Sequence, residues 1–377
     1  MPKKIVFLTG TRADFGKIKS LIEITQNNIA FEVHIFATGM HMNSKYGKTV
    51  NEIFKSGFKN IYQFINHDEI NHMDRTLAKT IEGFSTYIAE IQPDIIVIHG
   101  DRIEALAGAI VASLNNILVA HIEGGEISGT IDDSIRHAIS KLSHIHLVGN
   151  EKAQQRLIQL GENKNNIFII GSPDLDLMDP DTLPSLTFVK EYYEIPFQNY
   201  ALVMFHPVTT EFDVIQTYAK NLVRALEDSG NNYIVILPNN DLGSYEIMHE
   251  YKRLYANIQF KLFPSLRFEY FLQLLRNADF LIGNSSTAMH EAPYYNIPAI
   301  NIGSRQKNRS KSKNIINTGY EYKEILYAIQ SVGAFQFPRK QFVFGKGNSN
   351  QLFLQLLIQT DFWKIPKQKQ FYDLEKR

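Results

Sequence analysis

Short runs of β-branched and apolar residues alternate along the chain with longer stretches whose apolar positions recur at helical spacing. This alternation predicts βαβ units on a mostly parallel sheet. In the first half, strands are predicted at 5–8, 33–37, 95–99, 117–122, 144–148 and 167–170, with helices at 15–26, 75–91, 104–114, 132–142 and 151–160. After Gly171-Ser172-Pro173 the pattern breaks into a polar, Pro-containing connection to about residue 199 and then restarts. Strands follow at 201–205, 233–237, 260–263, 280–282 and 299–302, and helices at 214–226, 268–275, 289–292 and 322–329. A last amphipathic segment, 351–358, precedes a polar tail. The expected fold class is α/β, with two Rossmann-like domains facing across a cleft. Residues 1–175 form the first domain and 176–350 the second, while 351–377 is a C-terminal helix and tail returning toward the first. Open α/β sheets bind ligands beyond the carboxyl ends of their strands, so every strand that ends in Gly or a charged residue before a helix marks a candidate site edge.

Composition narrows the function. The 377 residues carry 39 Lys+Arg and 39 Asp+Glu, a net charge of zero. That balance excludes roles resting on bulk attraction to nucleic acid or an anionic membrane, while leaving room for a small anion bound locally. There is no Cys, which removes disulfides, thiolate metal sites and a Cys nucleophile. The N-terminal apolar run 5–8 is shorter than a signal h-region of about 7–15 residues, and no apolar stretch nears the ~18 residues of a membrane span. The expectation is a soluble, cytoplasmic protein.

Three strand ends of the first half deliver polar groups. The first turn, Gly10 to Lys17 (GTRADFGK), opens a helix whose N–H groups suit an anion. Arg12 and Lys17 repel each other there unless an anion is present. It is not a P-loop, because five residues rather than four separate the glycines and Ile18 stands where the Mg-binding hydroxyl should be. The second strand end reads His99-Gly100-Asp101-Arg102; as pure structure, Asp101 is an N-cap. The third, His121 to Glu126 (HIEGGE), puts His121 and Glu123 on one face. It is not a zinc-deaminase signature, which requires cysteines. Next, Asp132, Asp133, Arg136 and His137 begin a helix, Asp132 being a cap and Arg136 its i+4 partner on the bland reading. Glu123, Glu126, Asp132 and Asp133 fall within eleven residues with few cations besides Arg136. Crowded carboxylates push their pKa values apart, so that one serves as base and another as acid. Asp101, Glu123 and Asp132 are the catalytic candidates. His144 and His146, at strand spacing, are read as packing residues, and no metal is expected.

In the second half His206, in Phe205 to Thr210 (FHPVTT), is a candidate donor to a departing phosphate oxygen. Gly283-Asn284-Ser285-Ser286 follows a strand and leads to Glu291-Ala292-Pro293; serine hydroxyls at such a turn bind phosphate, and a carboxylate holds a ribose. Arg305, Lys307, Arg309, Lys311 and Lys313 place five cations in nine residues without an acid, either a solvated loop or a flap closing on pyrophosphate.

Read in order, these motifs together with Pro238 to Asp241 (PNND) resemble the bacterial hydrolysing UDP-N-acetylglucosamine 2-epimerases that begin sialic acid synthesis. The likeness runs from the N-terminus to about residue 320 and is loose over the last fifty residues. It implies a glycosyltransferase-B-like fold and conversion of UDP-GlcNAc and water to N-acetylmannosamine and UDP, without nicotinamide or metal. Elimination to 2-acetamidoglucal would be followed by hydration with inversion at C2, through oxocarbenium-like states that carboxylates stabilise. By motif, Asp101, Glu123 and Asp132 match the catalytic carboxylates. Arg12, Lys17 and His206 would face the diphosphate, Ser285 and Ser286 its oxygens, and Glu291 the ribose, with backbone near Ser265 to Phe268 at the uracil. Arg102, Arg136 and Arg305 join the substrate-binding set, and the resemblance implies a homodimer or homotetramer.

Three alternatives remain open at this stage. One is a 2-epimerase of a UDP-4-amino- or 4-acetamido-6-deoxy sugar, in legionaminic acid synthesis. The others are a glycosyltransferase of the same fold and a non-catalytic sugar-nucleotide binder. Non-hydrolysing relatives carry Glu-Ala-Gly-Leu-Arg where this chain has Glu123-Gly124-Gly125-Glu126-Ile127, which favours the hydrolysing type.

Overall fold

A computed structural model describes residues 1–44, 47–67, 72–128, 130–306, 314–334, 345 and 347–373. The chain divides into two compact units, Met1–Glu126 with Asp132–Asp179 and Val343–Arg377, and Ile127–Ile131 with Pro180–Phe342.

In the first unit the elements run β1 (Lys3–Thr9), α1 (Arg12–Gln26), β2 (Phe31–Ala37), α2 (Val50–Lys55), β3 (Ile61–Gln63), α3 (Met73–Ile91), β4 (Ile95–His99), α4 (Ile103–Leu114), β5 (Leu118–Ile122), α5 (Ile131–Leu142), β6 (Ile145–Val148), α6 (Glu151–Gln159) and β7 (Ile167–Ile169). All seven strands pair in parallel, in the order β3-β2-β1-β4-β5-β6-β7. Helices cover both faces, so the central strands are apolar throughout rather than alternating; every residue of β4 and β5 is buried. Gly108 lets α4 lie close on the sheet, since a Cβ there would stand 3.0 Å from Leu8 and 3.1 Å from Ile98.

The second unit contains α7 (Leu186–Tyr192), β8 (Ala201–Met204), α8 (Ile215–Ser229), β9 (Tyr233–Ile236), α9 (Ser244–Tyr251), β10 (Phe260–Phe263), α10 (Phe268–Arg276), β11 (Leu281–Gly283), α11 (Glu291–Tyr294), β12 (Ala299–Ile302), β13 (Ile315–Thr318) and α12 (Tyr322–Ser331). Its six strands are also parallel, in the order β10-β9-β8-β11-β12-β13. The strand order of each sheet reverses once, between β1 and β4 and between β8 and β11, the points at which such sheets hold ligands.

The last helix, α13 (Ser349–Leu357), returns to the first unit. Phe353 and Leu357 join the core formed by β1, β2 and α1, with the Phe353 ring edge-on to Phe7 at 6.2 Å. Two carboxylate oxygens of Asp176 accept from the backbone N–H groups of Ser349 and Asn350 at 2.7 and 2.8 Å, which anchors the start of this helix. No helix among the described residues is long and apolar enough to cross a membrane.

Sequence patterning missed β3, β13, α2 and α9, which are short, and α7, which lies inside the stretch read as a connection. The first helix begins at Arg12, three residues earlier than periodicity suggests, because Thr11 caps it: its hydroxyl accepts from the Asp14 N–H at 3.1 Å.

Candidate active site

At the β1/β4 switch point a cluster of charged side chains is buried. Glu123, directly after β5, has a backbone φ of +62°, a region that non-glycine residues adopt at a cost of about 1–3 kcal/mol. Its neighbours hold it on every side. Arg136 Nη1 donates to its carbonyl at 2.9 Å, Ser172 Oγ donates to Oε1 at 2.9 Å, and Lys17 Nζ stands 3.7 Å from Oε1. His99 Nε2 lies 3.4 Å from Oε2, and the other nitrogen of that ring lies 3.2 Å from Asp14 Oδ1. Asp14 Oδ2 in turn accepts from Thr9 Oγ1 at 2.9 Å and from the Gly10 N–H at 3.0 Å. Lys17 also faces Asp174 at 3.7 Å, a carboxylate with no exposed side-chain surface.

Arg136 joins two strand ends. It is 1% exposed, and besides the Glu123 carbonyl its Nη2 donates to the Asp101 carboxylate. Asp132 stands in the first turn of α5, one turn before Arg136 on the same helix face. Thus one helix presents a candidate catalytic carboxylate, holds that of Asp101 and ties down the backbone of Glu123.

Histidines on neighbouring strands behave oppositely. Burial opposes charge on His99, but the carboxylates of Glu123 and Asp14 outweigh it and raise its pKa to about 10. His121 is buried against Ser140 Oγ at 3.0 Å and the Gly100 carbonyl at 2.8 Å, and burial lowers its pKa to about 3.

At the switch point of the second unit, Asn284 is fully buried and clamps the two strand ends. Its Oδ1 accepts from the His206 N–H at 2.7 Å and its Nδ2 donates to the His206 carbonyl at 2.8 Å. His206 Nδ1 accepts from the Asn239 N–H at 3.1 Å. This acceptor role puts the ring proton on Nε2, the nitrogen that could donate to an oxyanion. Gly283 makes the turn possible, with φ +141° and a backbone so close that a Cβ would lie 2.0 Å from the Met204 carbonyl oxygen.

The family model described as UDP-N-acetylglucosamine 2-epimerase matches residues 23–358. The chain belongs to this family. It is 50% identical to a UDP-N-acetylglucosamine 2-epimerase of Neisseria meningitidis serogroup B, over 99% of both chains. It is 35% identical to the UDP-N,N'-diacetylbacillosamine 2-epimerase (hydrolyzing) of Legionella pneumophila, over 95% of this chain and 96% of that one. Among solved structures, a Neisseria meningitidis UDP-GlcNAc 2-epimerase bound to UDP-GlcNAc superposes with a TM-score of 0.80 at 16% identity, covering 94% of this chain and 99% of that chain. That likeness shows the fold, two parallel-sheet α/β units of the glycosyltransferase-B type.

Within this 2-epimerase fold several sequence readings change. Arg136, expected in the substrate-binding set, has its guanidinium buried on Asp101 and the Glu123 carbonyl. Asp101 is not the cap of α4; Arg102 occupies that position, and its Nε lies 3.6 Å from Glu104. The repulsion expected between Arg12 and Lys17 is answered within the chain, since Arg12 pairs with Glu52 at 3.7 Å and Lys17 lies among carboxylates. Of the acidic crowd, Glu123 is faced by Lys17 at 3.7 Å and by His99 at 3.4 Å, from a helix and a strand distant in sequence.

The remaining candidates lie in the second unit. Ser285 Oγ accepts from the Thr287 N–H at 3.3 Å, capping the short turn that Ser286 begins. Glu291 is 2% exposed at the start of α11, and Phe268 is buried at the start of α10. Arg305 Nη1 donates to the Asn284 carbonyl at 3.3 Å. Lys307, Arg309, Lys311 and Lys313 of the basic run lie outside the described residues. His144 and His146 bond the Lys367 carbonyl and Glu162 at 2.8 and 3.0 Å.

Sequence reasoning missed His99, Asp14, Ser172, Asp174 and Asn284 as site-building residues. Three of them, Asp14, His99 and Asn284, lie in quoted strand-end motifs, and the strand-end rule applied after 167–170 points to Ser172 and Asp174 as well.

Proposed function

We propose that the chain is a hydrolysing 2-epimerase that converts UDP-N-acetylglucosamine and water to N-acetylmannosamine and UDP, supplying the amino sugar from which sialic acids are built. The observation carrying the substrate is the 50% identity, over 99% of both chains, to a relative named for UDP-N-acetylglucosamine. The hydrolysing course is supported by the relative named hydrolyzing and by Glu123-Gly124-Gly125-Glu126-Ile127 in place of the Glu-Ala-Gly-Leu-Arg of non-hydrolysing relatives.

In this reading a carboxylate of the Asp101, Glu123, Asp132 set takes the C2 proton. The C1–O bond breaks with its electron pair going to the departing UDP oxygen, and 2-acetamidoglucal forms. Water then adds its oxygen to C1, and a proton reaches C2 from the opposite face. His206, with its proton on Nε2, is suited to donate to the departing phosphate oxygen, and Ser285, Ser286, Arg12 and Arg305 to bind the diphosphate. Glu291 takes the ribose hydroxyls, and backbone at the start of α10 takes the uracil. The resemblance further supports a homodimer or homotetramer, which sedimentation measures directly.

The deciding experiment is incubation with UDP-GlcNAc alone, followed by NMR. Free UDP and N-acetylmannosamine in equal amounts, with one deuterium at C2 when the solvent is D2O, support the reading. UDP-N-acetylmannosamine as product, no turnover without an acceptor, or full protium at C2 would each overturn it. The Legionella relative motivates a second substrate, the 4-acetamido-6-deoxy analogue; faster turnover of that sugar would move the assignment to it.

A further inference from the structure

We propose that His99 is a positioning residue for Glu123, an imidazolium clamped between two carboxylates that aims Glu123 and favours its ionised form. This rests on the 2-epimerase reading only in assigning Glu123 to the reaction.

The argument begins with geometry. Both ring nitrogens of His99 face a carboxylate oxygen, Nδ1 that of Asp14 at 3.2 Å and Nε2 that of Glu123 at 3.4 Å. Ionised carboxylates only accept, whereas a neutral imidazole has one donor and one lone pair. A neutral ring would therefore turn its lone pair against one of the two anions, and only the doubly protonated ring is attracted at both ends. Both carboxylates are held by other groups in the orientation this needs. Asp14 Oδ2 is occupied by Thr9 Oγ1 and the Gly10 N–H, leaving Oδ1 toward the ring. Glu123 Oε1 is occupied by Ser172 and faces Lys17, leaving Oε2 toward it.

The charged and titratable groups around this array come from every neighbouring element. They are Arg12, Asp14 and Lys17 on α1, Glu123 and His121 with β5, Arg136 on α5, Asp174 after β7, His41 after β2, and on α4 the buried Glu104, packed on Gly10 and paired with Arg102 at 3.6 Å. His121 is the internal contrast, since its hydroxyl and carbonyl partners need only a neutral ring. A cation beside Glu123 favours its ionised form and disfavours its protonated form. Glu123 is thereby returned to its charged state after each proton it accepts, while the clamp holds its carboxylate in one direction.

The test compares wild type with His99→Gln and Asp14→Asn, measuring kcat and KM for UDP-GlcNAc across pH, alongside NMR of 15N-labelled histidine. His99→Gln is expected to lower kcat by about 10–100-fold, as misplacement of a reacting group does. KM should stay within about threefold, and the acidic limb of the kcat profile should move to higher pH. Asp14→Asn should pull the alkaline limb to lower pH, because one of the two anions holding the ring proton is gone. The His99 resonances, assigned by difference, should show both nitrogens protonated at pH 8. Limbs unmoved in His99→Gln, or a neutral His99 ring at pH 8, overturn the proposal. Absence of wild-type turnover would instead defeat the substrate reading, and the NMR measurement would still decide the state of the clamp.

Discussion

Replacing Arg136 with methionine separates a buried organiser from a ligand contact. The side chain is 1% exposed and makes two connections, to the Glu123 carbonyl at 2.9 Å and to the Asp101 carboxylate. Methionine fills much of the space of the arginine stem, so the cavity term is small. Leaving the buried carbonyl without a donor costs about 1–3 kcal/mol. Removing one partner of a buried ion pair costs about 3–5 kcal/mol, but the Asp101 side chain keeps 23% exposure and can regain water, so the lower end applies. A loss of about 4–6 kcal/mol follows. At roughly 2–4 °C per kcal/mol for a unit of this size, the first thermal transition should fall by about 10–20 °C. Turnover should fall as well, because the φ of +62° at Glu123 is sustained partly through that carbonyl. Affinity for UDP, measured by calorimetry, should stay within about twofold. Arg136→Lys should recover less than half of the stability, since an ammonium lacks the planar fork that reaches both acceptors. The reasoning is refuted if Arg136→Met lies within about 1 kcal/mol of wild type, or if UDP affinity drops tenfold with stability intact.

Three further outcomes follow from the structure. Gly283→Ala would put a Cβ 2.0 Å from the Met204 carbonyl oxygen at φ +141°; it should weaken UDP binding at least tenfold and lower the Tm of the second unit, and wild-type binding would contradict the turn assignment. Stability should peak near neutrality. Burial holds His41 and His121 neutral, with pKa values of about 4 and 3, so their contribution is present above 6.5 and is lost as pH falls toward those values. For His99 burial is outweighed by Glu123 and Asp14, giving about 10, so its contribution is present below 6.5 and is lost as pH rises toward 10. Thermal scans across pH should therefore show an alkaline decline that His99→Gln abolishes; a decline of the same slope in that variant counts against the assignment. Finally, Lys369 Nζ donates to the carbonyls of Ser140, Lys141 and Ser143 at the end of α5 and pairs with Glu162. Lys369→Met should cost about 2–3 kcal/mol, the range for a buried charge-assisted group, readable in urea unfolding, and a change under 0.5 kcal/mol would show the tail to be passive.

Much of the fold was legible in the chain because parallel strands buried on both faces are short continuous apolar runs and their covering helices are amphipathic. Both signals are local. β3, β13, α2 and α9 escaped because elements of three to eight residues carry at most about two periods, and α7 because it lies in a polar stretch. The carboxyl edge of each sheet was also legible, as Gly-rich and charged strand ends. Hence Asp101, Glu123, Asp132 and His206 could be named as candidates from letters alone.

What each side chain does there was not legible, because it depends on partners distant in sequence. Arg136 reaches Asp101 across 35 residues, Ser172 reaches Glu123 across 49, and Asn284 reaches His206 across 78. The sequence by itself determined the strand ends and the residue types placed on them. Only the tertiary structure placed Arg136 on Asp101 and the Glu123 carbonyl, and gave His99 two carboxylate neighbours where His121, on the adjacent strand, has a hydroxyl and a carbonyl. The physical reason is that burial removes water as the default partner, so the charge and role of each group are set by whichever donors and acceptors the fold places within about 3–4 Å.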